Sequence, residues 1–181
     1  FLLNKPRSVI CSVSDEHNRV TVTDLISTNK RIYPVGRLDY DTTGLIILTN
    51  DGDFANMLMH PSYEIEKTYV AKINKILDKD DINKLKKGIV IDNDLKTLEK
   101  GVMVDGVMCK PTRVKIKKND SDKDYSIVEI TITEGRNHIV KRVFKELGYL
   151  VDKLSRVSYG FLDVSKMKSG DYRELSIKEV K

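Results

Sequence analysis

The stretch "YPVGRLDYDTTGLIILTNDGD", Tyr33 to Asp53, puts an aspartate, Asp39, two residues after Arg37 and just ahead of an apolar run. Taking a carboxylate out of water costs several kcal/mol unless a cation or several donors compensate it. A position of this kind calls for a reason, and chemistry is one. A second constellation lies in "EGRNHIVKRVFKELG", where His138, Lys141, Arg142 and Lys145 recur at helical spacing on the side opposite Ile139, Val140, Val143, Phe144 and Leu147. Such a basic ridge can meet phosphates or be merely solvated.

The elements that must position these residues read as mixed α and β. "FLLNKP" and "SVICSV" have strand character broken by Pro6, and "VTVTDLI" can open a short helix at Thr23 or Asp24. "GLIILT" reads as a buried strand closed by the turn "NDGD", after which Asp53 can cap a short helix, "FANMLMH", that His60-Pro61 stops. "EKTYVAKI" alternates like a strand, and "DKDDINKLKKG" has the acidic start, basic end and glycine stop of a helix. "GVMVDGVMCK" suggests a hairpin around Asp105-Gly106, while "TRVKIKK" and "YSIVEITIT" suggest two more strands. Asn137 is the candidate cap of the basic helix and Gly148 its stop. The pattern predicts one α+β unit without repeats.

Composition bounds the function classes. The chain has 181 residues, 40% hydrophobic and 33% charged, with no apolar run near the roughly 20 residues of a membrane span. No cationic region precedes an apolar one at the start, so no signal peptide is expected, and the cytoplasm is the expected compartment. Cys11 and Cys109 belong to no metal-ligand spacing and are expected as reduced thiols. The net charge of +5 permits a polyanionic partner, and Glu134 to Gly160 alone holds six Lys or Arg against three acids.

Two readings of Asp39 compete. "DYDTT" satisfies the D-x-D-x-T pattern of haloacid-dehalogenase-type phosphatases, in which the first aspartate attacks a phosphoryl group with magnesium present. In those enzymes a buried strand leads into the motif, whereas here the apolar run follows it. The other reading spans nearly the whole chain. "NKPRSVICSV", "RIYPVGRLDYDTTGLIILTNDGDFANMLMHP", "YEIEKTYVAKI", "EGRNHIVKRVFKELG" and "LSRVSYGFLDVSKMKSGDYRELS" resemble, in order and spacing, the RsuA-type rRNA pseudouridine synthases. "EGRN" and "YGFLDV...GDYREL" are more similar to the large-subunit (23S) branch.

The resemblance implies an α+β, bilobal pseudouridine-synthase fold with a mostly antiparallel mixed central sheet, flanking helices and an active-site cleft. It implies one catalytic domain over residues 1–181, of two sublobes, without the small N-terminal RNA-binding domain usual in the family. The implied reaction is a cofactor-free and metal-free isomerisation by a monomer acting on ribosomal RNA: the uracil leaves ribose carbon 1, turns, and is rejoined through its carbon 5. Asp39 matches the catalytic aspartate, which attacks the nucleotide or removes a ribose proton. Tyr69 matches the active-site tyrosine, and Arg156 the basic partner that keeps the aspartate ionised. Arg37 matches the arginine that can fill the space of a flipped nucleotide. Lys5, Lys67, Arg136, Lys141 and Arg142 are the implied phosphate contacts. The sequence departs from many relatives at Ile139, where they carry Gln. A non-catalytic RNA-binding module is the third alternative.

Overall fold

Continuous apolar runs bounded by Pro, Gly or Asp make short strands here, and the strongly amphipathic stretch after Asn137 makes a helix. A computed structural model describes residues 1–91 and 107–181, which fall into two compact units. Unit 1 is Phe1–Val70, Thr133–Gly135 and Lys153–Lys181, and unit 2 is Ala71–Ile132 and Arg136–Asp152.

In unit 1, β1 (Leu2–Lys5) pairs antiparallel with β3 (Thr43–Thr49), and β2 (Tyr33–Val35) pairs antiparallel with β3 as well. β3 runs parallel to β9 (Val151–Tyr159), with Thr43 opposite Ser155 and Gly44 opposite Arg156. The strand order is β11-β1-β3-β9-β4, with β4 (Lys67–Ile73) reaching the end of the unit, β10 (Leu162–Asp163) paired to β9, and β11 (Tyr172–Arg173) on the outer edge. The central apolar run of β3, Leu45 to Leu48, is buried on both faces, as a strand flanked on each side must be. Leu2, Val35, Leu45 and Ile47 pack with Phe54, Ala55 and Leu58 of helix α1 (Gly52–Met59) and with Tyr159 and Leu162. α1 is capped by Asp51, which accepts from the Phe54 amide at 3.0 Å, not by Asp53, which sits in the first turn. Its stop at His60 is as the sequence predicts. A short C-terminal helix, α4 (Ile177–Val180), closes the unit.

"SVICSV" is not a strand. Ile10 makes a single bridge to Thr21, and the chain then enters a 3-10 turn, Val22–Leu25, where Asp24 accepts from the Thr21 amide. Thr21 replaces Thr23 or Asp24 as the start of that turn because its side chain and that of Asp24 form a reciprocal capping box.

In unit 2, β7 (Arg113–Asp120) and β8 (Tyr125–Ile132) form an antiparallel hairpin beside the end of β4, and β5 (Ile89–Ile91) pairs with β6 (Val107–Cys109). Helix α2 (Lys79–Lys87) is capped by Asp78 and stopped by Gly88, and the Tyr149 hydroxyl holds its first turn, accepting from the Asp78 amide at 3.1 Å and donating to the Asp81 carboxylate at 2.7 Å. Helix α3 (Ile139–Glu146) buries Ile139, Val140, Val143 and Phe144, the apolar face seen in the sequence. Its cap is His138 in a left-handed conformation, so Asn137 lies one residue outside. The expected turn at Asp105-Gly106 lies outside the described residues.

Candidate active site

Asp39 stands in the turn that leads from Gly36 into β3. Gly36 takes a left-handed φ of +71°, and the turn closes where the Thr42 amide donates to the Asp39 carbonyl at 3.1 Å. The local apolar residue, Leu38, is buried, Arg37 is exposed and Asp39 is half-buried, so the carboxylate lies at the boundary between core and solvent. The Leu38 amide is held by the Cys11 thiol at 3.2 Å. The Ser8 amide donates to the Tyr40 carbonyl at 2.8 Å from the other side. The aspartate is thus carried on a turn fixed to two separate segments.

Lys5, Gly44 and Arg156 lie side by side across three strands, because β1 and β9 both place their residue opposite Gly44. A side chain at position 44 is impossible without movement: its Cβ would lie 2.1 Å from the Arg156 carbonyl oxygen. Arg156 is 3% exposed, and its Nε donates to the Leu45 carbonyl at 2.8 Å while Nη2 has no hydrogen-bond partner. The inner side of the guanidinium is thus engaged by the β3 backbone. Asp39, Arg156 and Lys5 do share one electrostatic neighbourhood, since all three act on the Cys11 thiol. Burial pushes that thiol up, opposed by the Leu38 hydrogen bond and the two cations.

Tyr69 and Lys67 occupy alternate positions of β4, hence the same face, and both are buried at 8% exposure. Lys67 Nζ donates to the Thr133 carbonyl at 3.3 Å, and its amine is pushed below the ordinary lysine value by burial first and by Arg156 second, against Glu134. Tyr69 also bears on the phenol of Tyr159, which burial pushes up. Lys67, Tyr69, Tyr159 and Arg156 are thus one group within unit 1, beside the turn of Asp39.

Lys5 does not stand where a phosphate contact should. It is 0% exposed, and Nζ donates to the Pro6 carbonyl at 2.9 Å and the Tyr40 carbonyl at 3.5 Å. An ammonium with no surface left to water holds the Asp39 turn, not a substrate chain. Lys67 likewise spends its ammonium on a carbonyl and a ring. Arg37 is exposed, and in unit 2 Arg136, Lys141 and Arg142 are half-buried while His138 and Lys145 are exposed. Nothing in the sequence marks Cys11, expected only as a reduced thiol, or Tyr159 as part of the site. A thiol carries no local mark of what it will accept from, and Tyr159 is three places from Arg156, which strand alternation assigns to opposite faces. The burial of β9 breaks period two between Arg156 and Tyr159, so the rule fails there.

A lysine buried in this way has a pH signature. Burial pushes the Lys5 amine below its ordinary 10.5, opposed by Cys11, Asp41 and Asp39. Between the lowered folded value and 10.5 the unfolded chain binds more protons, so Lys5 makes the protein more stable as pH rises through that window. Urea midpoints of the wild type relative to Lys5→Met should rise as the pH is raised toward 10.5. A constant difference across that range would place the ammonium in water.

The phosphatase reading finds no support in this geometry. The buried strand begins at Thr43, after Asp39, and Asp41 is exposed. Among the described residues no three His, Cys, Asp or Glu are grouped as a metal would need, and no helix is long and apolar enough to cross a membrane.

Residues 1–146 match the model of the family described as RNA pseudouridylate synthase. The chain is 48% identical over its full length to ribosomal large subunit pseudouridine synthase B of Bacillus subtilis (strain 168), 69% of which it covers. It is 33% identical over 96% of its length to the protein of the same name from Yersinia pestis and spans about half of that relative, 51%. A solved structure described as a pseudouridylate synthase superposes with a TM-score of 0.77 at 28% identity, covering 99% of this chain and 70% of that one. The mixed α+β fold, the order of sequence blocks and these matches agree, and the chain belongs to the RNA pseudouridylate synthase family.

Proposed function

We propose that this chain converts a uridine of large-subunit ribosomal RNA to pseudouridine, with Asp39 as the reacting carboxylate, Tyr69 as the group beside the base and Arg156 as the nearby cation. The observation that carries the reading is the placement of Asp39 itself: a half-buried carboxylate on a doubly fixed turn, in the same unit as buried Tyr69, Lys67 and Arg156. The site works on electrostatics and position. Breaking the bond to ribose carbon 1 builds charge on the base or the sugar, and a partly dry pocket strengthens whatever fixed charge faces it. Tyr69 presents an aromatic face of the kind on which an unstacked base rests. The ribosomal and large-subunit part of the reading is supported by the names of the Bacillus and Yersinia relatives.

Charge distribution supports a polyanionic substrate. Unit 1 has 14 Lys or Arg and 14 Asp or Glu, while unit 2 has 18 and 13, so the whole net charge of +5 resides in unit 2. Arg136, Lys141, Arg142 and Lys145 belong to unit 2, and in this reading they meet phosphates, with Arg37 filling the place of the extruded nucleotide. Lys141→Gln, Arg142→Gln and Lys145→Gln together should weaken RNA binding and flatten its dependence on salt by somewhat under one unit of slope for each lost contact. The rate at saturating RNA should change much less. A slope equal to the wild type's would mean that α3 faces only solvent.

The reaction frees the hydrogen on uracil carbon 5, so rRNA made with uridine tritiated there reports it. The protein, acting without a partner in EDTA, should release tritium from large-subunit rRNA and not from small-subunit rRNA. Release only from the small-subunit RNA would move the substrate, and no release from either would refute the proposal.

A further inference from the structure

Two buried cations converge on one aromatic ring. The Arg156 guanidinium carbon lies 5.0 Å and the Lys67 ammonium 5.1 Å from the centre of the Tyr159 ring, within the range in which a cation is attracted to the negative face of a phenol. Charges this deeply buried are ordinarily paired with a carboxylate. Here Lys67 bonds a backbone carbonyl, Arg156 bonds another, and Arg156 Nη2 bonds nothing. A carboxylate in the place of the ring would take one edge of the guanidinium through two parallel N–H bonds, and with Nε already given to Leu45 that is the Nη1–Nη2 edge, so Nη2 would be occupied. A ring attracts the cation through its face and consumes no donor.

The ring is also fixed. Tyr159 Oη donates to the Leu58 carbonyl at 2.7 Å, in the last turn of α1, and the residue is 4% exposed in the apolar cluster with Leu2, Leu45, Phe54 and Leu162. We propose that Tyr159 is a positioning residue of the reaction: its ring serves Arg156 and Lys67 in place of a carboxylate, and so keeps Arg156 Nη2 buried, charged and uncommitted until the uridine arrives. The inference rests on the proposed function. It deepens it by naming the group that stands against the face of the cation.

Fluorination tests this without changing shape, because each fluorine drains the ring's negative face. Tyr159→Phe keeps the ring and loses only the anchor to Leu58, so single-turnover tritium release at saturating RNA should stay within about threefold of wild type. Trifluorinated and then pentafluorinated phenylalanine at the same position should lower that rate progressively, by about 30-fold at the end of the series. The Kd for rRNA and the melting temperature should stay level along it. A rate independent of fluorination, with the Phe variant active, would overturn the inference and leave the proposed function standing. A wild type that releases no tritium would remove both together.

Discussion

Asp39→Asn should give a folded protein that binds rRNA as tightly as the wild type and forms no pseudouridine. Asparagine keeps the size of the side chain and the backbone of the turn, so the bonds from Leu38 to Cys11, from Ser8 to Tyr40 and from Thr42 to residue 39 are all retained. What is lost is one negative charge at the boundary of a site that holds three buried cations, Lys5, Lys67 and Arg156. An amide can neither attack a carbon nor take a proton at useful rate, and removal of a reacting group of this kind typically costs a thousandfold or more, roughly 10³–10⁶. Tritium release in single turnover, with filter binding on the same preparation, measures the two quantities separately. Activity at a tenth of the wild type or above would show that another residue carries the chemistry.

Among the described glycines, Gly44→Ala should be the most damaging substitution. The added Cβ would lie 2.1 Å from the Arg156 carbonyl oxygen and 2.8 Å from the Arg156 nitrogen and carbonyl carbon, all of them backbone atoms that no rotamer change can move. Gly44 also has a φ of +107°, a conformation that side chains disfavour. Overpacking costs about 1–3 kcal/mol and left-handed strain about 1–3 kcal/mol, so a loss of about 3 kcal/mol or more is expected. The protein can escape only by parting β3 from β9 at the pairs Thr43–Ser155 and Gly44–Arg156. That motion carries Arg156 away from the turn of Asp39, so the fraction that still folds should have a reduced rate as well. Urea unfolding of the variant within 1 kcal/mol of the wild type, where about 3 is expected, would mean that the two strands are not so closely apposed.

The strands that carry the site were readable from local pattern. "GLIILT" and "EKTYVAKI" became β3 and β4 because a buried strand needs little more than an apolar or alternating run with a turn residue at its end. Caps were harder, and the reason is competition between neighbours of the same type. Asp51 and Asp53 can both accept from a helix's first amides, and Asp51 does so because Gly52 already takes helical geometry. "SVICSV" has strand composition, yet only Ile10 finds a partner, so its propensity is overridden by the absence of a neighbouring strand along most of its length. Long-range placement was the least readable. Lys5 has the look of an exposed cation because nothing local shows that β3 and the Asp39 turn will cover it. The parallel register of β3 and β9, which no local signal encodes, brings Arg156 beside Gly44 and gives its Nε to Leu45. The family blocks supplied what spacing alone did not, namely that Tyr69 and Arg156, 87 positions apart by their numbers, belong with Asp39 to one unit.

The proposed reaction, through Asp39, moves uracil from nitrogen to carbon attachment at a defined place in large-subunit rRNA. Carbodiimide modification followed by primer extension reads it most directly, because only pseudouridine retains the adduct after alkaline treatment and arrests the extending enzyme. Unmodified large-subunit rRNA incubated with the protein in EDTA should give one new strong stop, absent with Asp39→Asn. No new stop with the wild type, or the same stop with both proteins, would contradict the account.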